Sequence, residues 1–344
     1  MKEVLVMRLS AMGDVAMTLP VLCSFLEANP DVHVTFLSAP RLEPIFSNIP
    51  NLTFFPVDTK KTYAGNLGMF RLFRDLRKTT HFDQMIDLHD VLRSKILRTL
   101  FRIFGTPVAV IDKGRAEKKE LTRKENKRMV QLKTSVQRYI ETFQRAGFTV
   151  NPLRKDFFPV QNLSETEPIK EILSANGSKK IIGIAPFAQH DGKIYPIEKC
   201  EEIVAHYSQN ADIQLFLFGG GQKEKAILDG WAEKYSNATS LVGKFKLTEE
   251  LALIKHCSVL LTMDSANMHL ASLVGTPVVS VWGATHPYAG FYGFGQDEKD
   301  AVQLDLPCRP CSIFGNKPCY LGDFRCMTQI SPSQIIAKID AHLA

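Results

Sequence analysis

The feature that most constrains this chain is a rhythm of short strand-like runs and helical stretches, played twice. In the first half Val4–Met7, His33–Ser38, Leu52–Val57, Gln84–Leu88 and Val108–Ile111 are brief and rich in β-branched or aromatic residues. Helical stretches lie between them, most clearly Asn66–Lys78 and Leu92–Phe104. The second half restarts with "KKIIGIAPF", "IQLFLFGGG", "VLLTMD" and "PVVSVWGA", separated by helices at Pro196–Ser208, Gln222–Tyr235, Leu247–His256 and Asn267–Val274. A last amphipathic helix, Ser331–Leu343, has Pro332 suited to its first turn. Alternation of this kind implies parallel sheets with helices on both faces. "NPLRKDFFPVQNLSETEP" holds three prolines, loses periodicity and reads as a linker. The expected fold is therefore α/β, with two Rossmann-like doubly wound domains joined near residue 160. Their expected extents are 1–158 and 165–330, followed by a C-terminal helix over 331–344. The carboxyl ends of both sheets are expected to face one cleft.

Bulk properties narrow the class. At 344 residues two domains are the natural expectation, and 45% hydrophobic with 23% charged residues is ordinary soluble-protein composition. No apolar run approaches the roughly 18 residues of a spanning helix. The N-terminal stretch is interrupted by Arg8, Asp14 and Pro20, which does not suit a signal peptide. A cytoplasmic location is expected. The net charge of +6 is modest but uneven, with ten Lys or Arg against three Glu between Lys113 and Arg138. That run reads either as a solvated helical face or as a surface for anionic partners.

Four strand ends run into polar or glycine-rich turns. After Val4–Met7 comes "RLSAMGD", with Arg8, Ser10 and Asp14. A dinucleotide turn has three glycines and no acid where the pyrophosphate lies; here one glycine is followed at once by a carboxylate. "APFAQHDGKIYP" places Lys193 just before a helix. "FGGGQKE" supplies Gly219, Gly220 and Gly221, which would let a nucleoside approach the backbone, with Glu224 beyond them. "MDSANMHLA" carries Asp264, then Ser265 as a plausible N-cap and His269 in the first helical turn. A diphosphate suits this last turn, because free backbone N–H groups and the positive helix end favour an anion, with Lys193 as a point charge. Taken singly, each has a plainer role. Asp14 would cap a helix, His269 would sit in the core, Lys193 would be solvated and the glycines would mark a tight turn. Convergence of the four turns is what points to a ligand.

"RLSAMGDVAMTLP", "IDLHDVLRS", "KIYP" and "MDSANMHLASLVGTPVVSVWGATHP" together resemble the heptosyltransferase family of bacterial glycosyltransferases, from residue 4 to the final helix. The resemblance implies the two-domain GT-B fold and transfer of heptose from ADP-heptose to a lipopolysaccharide core acceptor. It implies Asp14 as catalytic base, Lys193 on the donor phosphates and Asp264 on the donor sugar hydroxyls. Ser265, Ala266 and His269 fall beside the diphosphate, and Gly219, Gly220 and Glu224 near the nucleoside. Arg8, Ser10, Arg93 and Ser94 fall on the acceptor side. The chain departs from the family pattern in four places. Ala266 stands for the usual Gly, His89–Asp90 for Gln-Gly and Phe187–Ala188 for small polar residues, while Gly221 stands where the ribose-binding glutamate is expected.

The position of Asp14 then has a chemical reason. Transfer with inversion needs a base at the acceptor hydroxyl while the diphosphate departs on the opposite face. Lys193, the helix end at Asn267 and His269 would meet the leaving charge. No Asp-x-Asp pair occurs in the chain, so no catalytic cofactor or metal is expected. Expected partners are a nucleotide sugar, the lipid acceptor and, peripherally, the anionic inner face of the inner membrane, with no nucleic acid. Lys60, Lys61, Arg71, Arg74, Arg77, Lys78 and Arg93, besides the 113–138 run, would favour such a surface.

Cys308, Cys311, Cys319 and Cys326 supply four thiols, the first pair at a zinc-like spacing and the later gaps irregular. A structural zinc and a set of reduced, partly buried thiols are the two readings; a disulfide framework does not suit the cytosol. Either role would be structural, because the cluster lies outside the four turns. Two rival functions remain, a nucleotide-sugar epimerase of similar build and a nucleic-acid-binding protein using the basic run. The second is weakened by the lack of aromatics among those basic residues.

Overall fold

The computed structural model describes residues 1–344 apart from Val160. In chain order the first elements are β1 (Lys2–Met7), α1 (Met12–Ala16), α2 (Leu19–Ala28), β2 (Val32–Ser38), α3 (Glu43–Phe46) and β3 (Leu52–Pro56). Next come α4 (Gly65–Thr79), β4 (Gln84–Asp87), α5 (Leu92–Ile103), β5 (Val108–Val110), α6 (Arg115–Leu121) and α7 (Ser135–Arg145). The second half runs α8 (Glu167–Asn176), β6 (Lys180–Ala185), α9 (Ile197–Ser208), β7 (Ile213–Leu217), α10 (Gln222–Lys234) and β8 (Ala238–Ser240). It ends with α11 (Leu247–Lys255), β9 (Val259–Met263), α12 (Ala266–Val274), β10 (Val278–Val281), β11 (Ala301–Val302), α13 (Arg325–Thr328) and α14 (Pro332–Asp340). No helix among the described residues is long and apolar enough to cross a membrane.

The chain divides into two compact units. Unit 1 is Met1–Lys113 with Ser135–Asn162, and unit 2 is Gly114–Thr134 with Leu163–Ala344. Unit 1 holds a five-stranded parallel sheet in the order β3-β2-β1-β4-β5. Unit 2 holds a six-stranded parallel sheet in the order β8-β7-β6-β9-β10-β11. Both follow the doubly wound pattern, in which the first strand is central and the chain winds outward to each side. Strands covered by helices on both faces need apolar residues at every position. Val4, Leu5, Val6 and Met7 are accordingly all at 0% exposure.

Side-chain periodicity decides which helix lies where. Leu72, Phe73 and Leu76 of α4 and Leu97 and Phe101 of α5 recur at three- and four-residue spacing, and they share one core with Leu5 and Met7. α2 and α7 meet through Phe25 and Phe143, with ring centroids 4.5 Å apart. In unit 2, Ile182, Ile184, Leu215, Leu261 and Val279 form the sheet's share of the core, and α14 closes it with Ile335 and Ile339. Ser331 caps α14 through Gln334, with Pro332 in the first turn as its ring geometry favours.

Two expectations change. The turn read in "RLSAMGD" is shorter than it looks: α1 starts at Met12, so Asp14 lies within a helical turn rather than in the loop before it. The basic run does not all go with the N-terminal unit either, as a domain over 1–158 would have it. Its 114–134 portion packs with unit 2, where Leu121 and Leu132 cluster with Ala289. Lys118 lies 4.3 Å from the centre of the Phe291 ring, and Lys127 Nζ donates to the carbonyls of Cys308 (2.6 Å) and Pro310 (2.9 Å). These lysines pack and bond. They are neither a plain solvated face nor part of unit 1.

Candidate active site

Each unit has one place where neighbouring strands send their following helices to opposite faces, and ligands of such sheets bind there. In unit 1 it lies between β1 and β4, where Met7 is beside Asp87. The turn after β1 is tied by side chains. Arg8 is buried; its guanidinium donates to Leu88 O at 2.7 Å and pairs with Asp14 Oδ2 at 2.5 Å. Burial pulls the Arg8 pKa down, but Asp14, Tyr139 and Asp87 together more than offset this and leave it raised. The Tyr139 hydroxyl donates to Asp14 O at 3.1 Å, and burial raises the Tyr139 pKa.

The turn after β4 is framed by Asp87, at 0% exposure. One carboxylate oxygen accepts the N–H groups of His89 and Asp90, and the other meets Arg98, which also pairs with Asp90. His89 reaches the first turn from there. Its Nδ1 accepts the Leu9 N–H at 3.4 Å and its Nε2 lies 3.3 Å from Ser10 Oγ. Burial, then Arg8, Lys113 and Arg93, push the His89 pKa down to about 3. The ring is thus neutral at physiological pH, with its proton on Nε2 facing Ser10.

In unit 2 the corresponding place lies between β6 and β9, where Ala185 is beside Thr262. Lys193, on a short turn after β6, pairs with Asp264 Oδ2 at 2.8 Å from the end of β9. Ser265 occupies the N-cap position of α12 but makes no capping bond; its hydroxyl instead lies 3.0 Å from Thr262 Oγ1. Ala266 opens α12, and His269, one turn on, is half-buried rather than a core residue. Of the triple glycine, Gly221 needs its freedom because its φ is +84°, whereas a Cβ on Gly220 would meet nothing. Glu224 folds back so that its carboxylate accepts the Gly220 N–H at 2.6 Å.

The structure thus joins Arg8 with Asp14, Ser10 with His89, and Lys193 with Asp264. Arg8 is spent on holding Asp14 and Leu88. Ser94 is fully buried and bonded to Val91 N and O at the start of α5; Arg93 beside it is exposed.

The cysteine-rich loop also differs from expectation. Far from standing apart from the four turns, it backs the Lys193 turn. Ala284 N–H donates to Gly192 O at 2.8 Å, and Cys311 N–H donates to Ala284 O at 3.0 Å. Arg309, buried, donates to the carbonyls of Gly283 (2.5 Å) and Thr285 (2.9 Å). A Cβ on Gly315, whose φ is +74°, would come within 2.6 Å of Lys193 Cγ. All seven cysteines are free, and among the described residues no three His, Cys, Asp or Glu side chains are grouped to hold a metal. Tyr139, Arg309 and Gly315 had no sequence signal, because each acts on a turn far away in the chain. Asp87 and Arg98 act within their own turn and the helix after it, where the sequence pattern marks only Arg93 and Ser94.

The glycosyltransferase family 9 (heptosyltransferase) model matches residues 69–317. The lipopolysaccharide core heptosyltransferase OpsX of Haemophilus influenzae is 24% identical over 83% of this chain and 80% of its own length. Lipopolysaccharide heptosyltransferase 1 of Campylobacter coli is also 24% identical, over 83% and 85%. A glycosyl transferase family 9 structure from Veillonella parvula superposes with a TM-score of 0.77 at 20% identity, covering 99% of this chain and 97% of that one. Escherichia coli heptosyltransferase WaaC with ADP-2-deoxy-2-fluoro heptose superposes with a TM-score of 0.69 at 18% identity, covering 99% and 100%. These likenesses bear out the GT-B fold, and the match spans well over half of the sequence. The chain belongs to glycosyltransferase family 9, the heptosyltransferases.

Proposed function

We propose that this protein is an inverting, metal-independent heptosyltransferase that moves heptose from ADP-heptose to a lipopolysaccharide core acceptor at the cytoplasmic face of the inner membrane. One observation carries the reading: the two ion pairs have opposite polarity. In unit 1 the acid is the more exposed partner, Asp14 at 26% against Arg8 at 8%. In unit 2 the cation is, Lys193 at 15% against Asp264 at 4%. One switch point presents a carboxylate, suited to taking a proton. The other presents an ammonium, suited to a diphosphate.

In this reading Asp14 takes the proton of the acceptor hydroxyl as that oxygen bonds to the anomeric carbon. The bond from that carbon to the diphosphate oxygen breaks, and its electrons leave with ADP. Lys193 has three N–H donors; one goes to Asp264, and the others suit phosphate oxygens. Asp264 anchors Lys193 and accepts from sugar hydroxyls, while the start of α12 and His269 lie beside the diphosphate. Arg8 pairs with Asp14 and orients it, which makes it a positioning residue. The lack of any Asp-x-Asp pair in the sequence supports chemistry without a divalent metal.

The test is incubation with ADP-heptose and a truncated core acceptor, following ADP release and product stereochemistry. Release only when both are present, with inversion and no loss in EDTA, is expected. Release without acceptor, retention of configuration, or a rate that depends on added Mg²⁺ or Mn²⁺ would overturn the reading.

A further inference from the structure

The outer layer of unit 1 has a composition that folding does not explain. Among the described residues, every large exposed apolar side chain of this unit other than Met1 lies on α4, on α5 or on the residue ending α5. Leu67, Phe70, Leu92, Ile103 and Phe104 are 51–84% exposed. Leu67, Phe70, Arg71, Arg74, Arg77 and Lys78 recur at the three- and four-residue spacings that put them on one stripe of α4, opposite the buried Leu72 and Leu76. Leu92, Lys95, Arg102 and Ile103 do the same on α5, opposite Leu97 and Phe101. The two helices pack side by side on the same face of the sheet, so the stripes adjoin. Arg77 lies over the Phe104 ring at 4.4 Å, joining cation and apolar surface where the helices end.

The charge is one-sided. Arg71, Arg74, Arg77 and Lys78 on α4, with Arg93, Lys95 and Arg102 on α5, meet a single acid, Asp75. Arg98 is excluded because it is turned inward to Asp87 and Asp90.

We infer that this α4–α5 face is the surface on which the protein lies against an anionic lipid bilayer, its apolar side chains entering the acyl boundary and its cations meeting lipid phosphates. The inference deepens the proposed function and rests on it, by naming which face meets the membrane that would hold the acceptor. Two helices lying flat, about 18 and 22 Å long at about 1.5 Å per residue, offer the mixed apolar and basic face that interfacial helices use. A second copy is a poor occupant, because a two-fold interface would set these cations against themselves. Three of the five apolar residues are aliphatic and have no stacking use on nucleic acid. The face also differs from the basic run of 114–134, which packs on unit 2. At its α5 end the face begins with Leu92, three residues after His89 of the turn that follows β4.

The experiment is co-sedimentation of the full chain with phosphatidylethanolamine–phosphatidylglycerol vesicles, at low salt and at about 1 M salt, where the Debye length is only about 3 Å. Leu67→Gln/Phe70→Gln should lower partitioning about tenfold at both salts. Arg74→Glu/Lys78→Glu should lower it at low salt only, and Arg123→Glu/Arg128→Glu on unit 2 should leave it unchanged. Transfer to a water-soluble acceptor fragment reports folding, and should be unaffected in all three. Partitioning of Leu67→Gln/Phe70→Gln equal to that of the unaltered protein overturns the inference. So does binding lost only in Arg123→Glu/Arg128→Glu, or a dimer that Leu67→Gln/Phe70→Gln converts to monomer without any vesicle binding. Absence of transfer to the soluble fragment by the unaltered protein would sink the proposed function instead, and leaves the partitioning result to be judged on its own terms.

Discussion

The two switch points do similar work with different materials. In unit 1 the turn after β1 is held by side chains, with Arg8 against Asp14 and Leu88, His89 against Leu9 and Ser10, and Tyr139 against Asp14 O. In unit 2 the turn bearing Lys193 is held by backbone packed on backbone. Gly192, Gly283 and Gly315 are each so crowded that a Cβ would fall within 2.6–2.7 Å of a neighbour. Side-chain scaffolding surrounds the group it holds with charge and hydrogen bonds as well as fixing its place, because each strut is itself polar. Glycine scaffolding fixes place alone and leaves the ammonium, beyond its bond to Asp264, two further N–H donors. On the proposed function, the proton acceptor is served by the first kind and the anion site by the second.

The largest expected effect separates the two directly. Asp14→Asn should lower kcat by ~10²–10⁴, the usual loss when general-base help is removed, with ADP affinity unchanged. Asp264→Asn should instead weaken sugar-nucleotide binding more than ADP binding. Calorimetry on both variants with both ligands checks the split, and retained ADP binding shows that Asp14→Asn is folded despite leaving Arg8 without its charged partner. Near-normal turnover in Asp14→Asn would return Asp14 to a purely structural place beside Arg8. Equal losses for both ligands in Asp264→Asn would remove Asp264 from the sugar.

A smaller effect tests the glycine scaffold. Gly315→Ala pushes a methyl against the Lys193 stem and also strains a left-handed backbone. Gly322→Ala, in the same cysteine-rich loop, carries the same strain at φ +79° with nothing within 4 Å of the added Cβ. Gly315→Ala should weaken ADP binding about tenfold while Gly322→Ala lowers only the melting temperature. Equal ADP affinities in the two would show that Gly315 does not position Lys193.

What could be read in advance follows from range along the chain. Strand runs, helix stripes and the turns carrying Asp14, Lys193 and Asp264 are local patterns, and all the strands and helices marked in advance formed within a few residues of their expected limits. The exception is α1, which begins inside the stretch read as the first turn. Ser10 and His89 are 79 residues apart, and nothing local to either says that β1 and β4 are neighbours. The cysteine run drew attention to its thiols, whereas the parts that act on the site are Arg309, which bonds carbonyls, and Gly315, which lacks a side chain. Charge counting found the basic run but not the unit it packs on, since that choice is made by Leu121 and Leu132.

The smallest effect concerns the side-chain scaffold and its dependence on pH. His89 titrates near 3 in the folded chain and near 6.5 when unfolded, chiefly because burial opposes its charge. Below pH 6.5 the unfolded state takes up a proton that the folded state refuses, so stability present above that pH is lost as pH falls toward 3. Glu250, raised to about 7 by burial, works in the opposite sense and favours the folded state as pH falls from 7 toward 4.5. A comparison with His89→Gln cancels Glu250 and isolates the ring, because the amide keeps a donor for Ser10 without a titrating group. Between pH 7 and pH 5 the unaltered protein should lose about 2 kcal/mol more stability than His89→Gln, at about 1.4 kcal/mol per unit of pKa difference. Urea midpoints at the two pH values measure this. Parallel losses would mean that His89 is protonated without penalty, and that the first turn is held by Arg8 and Tyr139 alone.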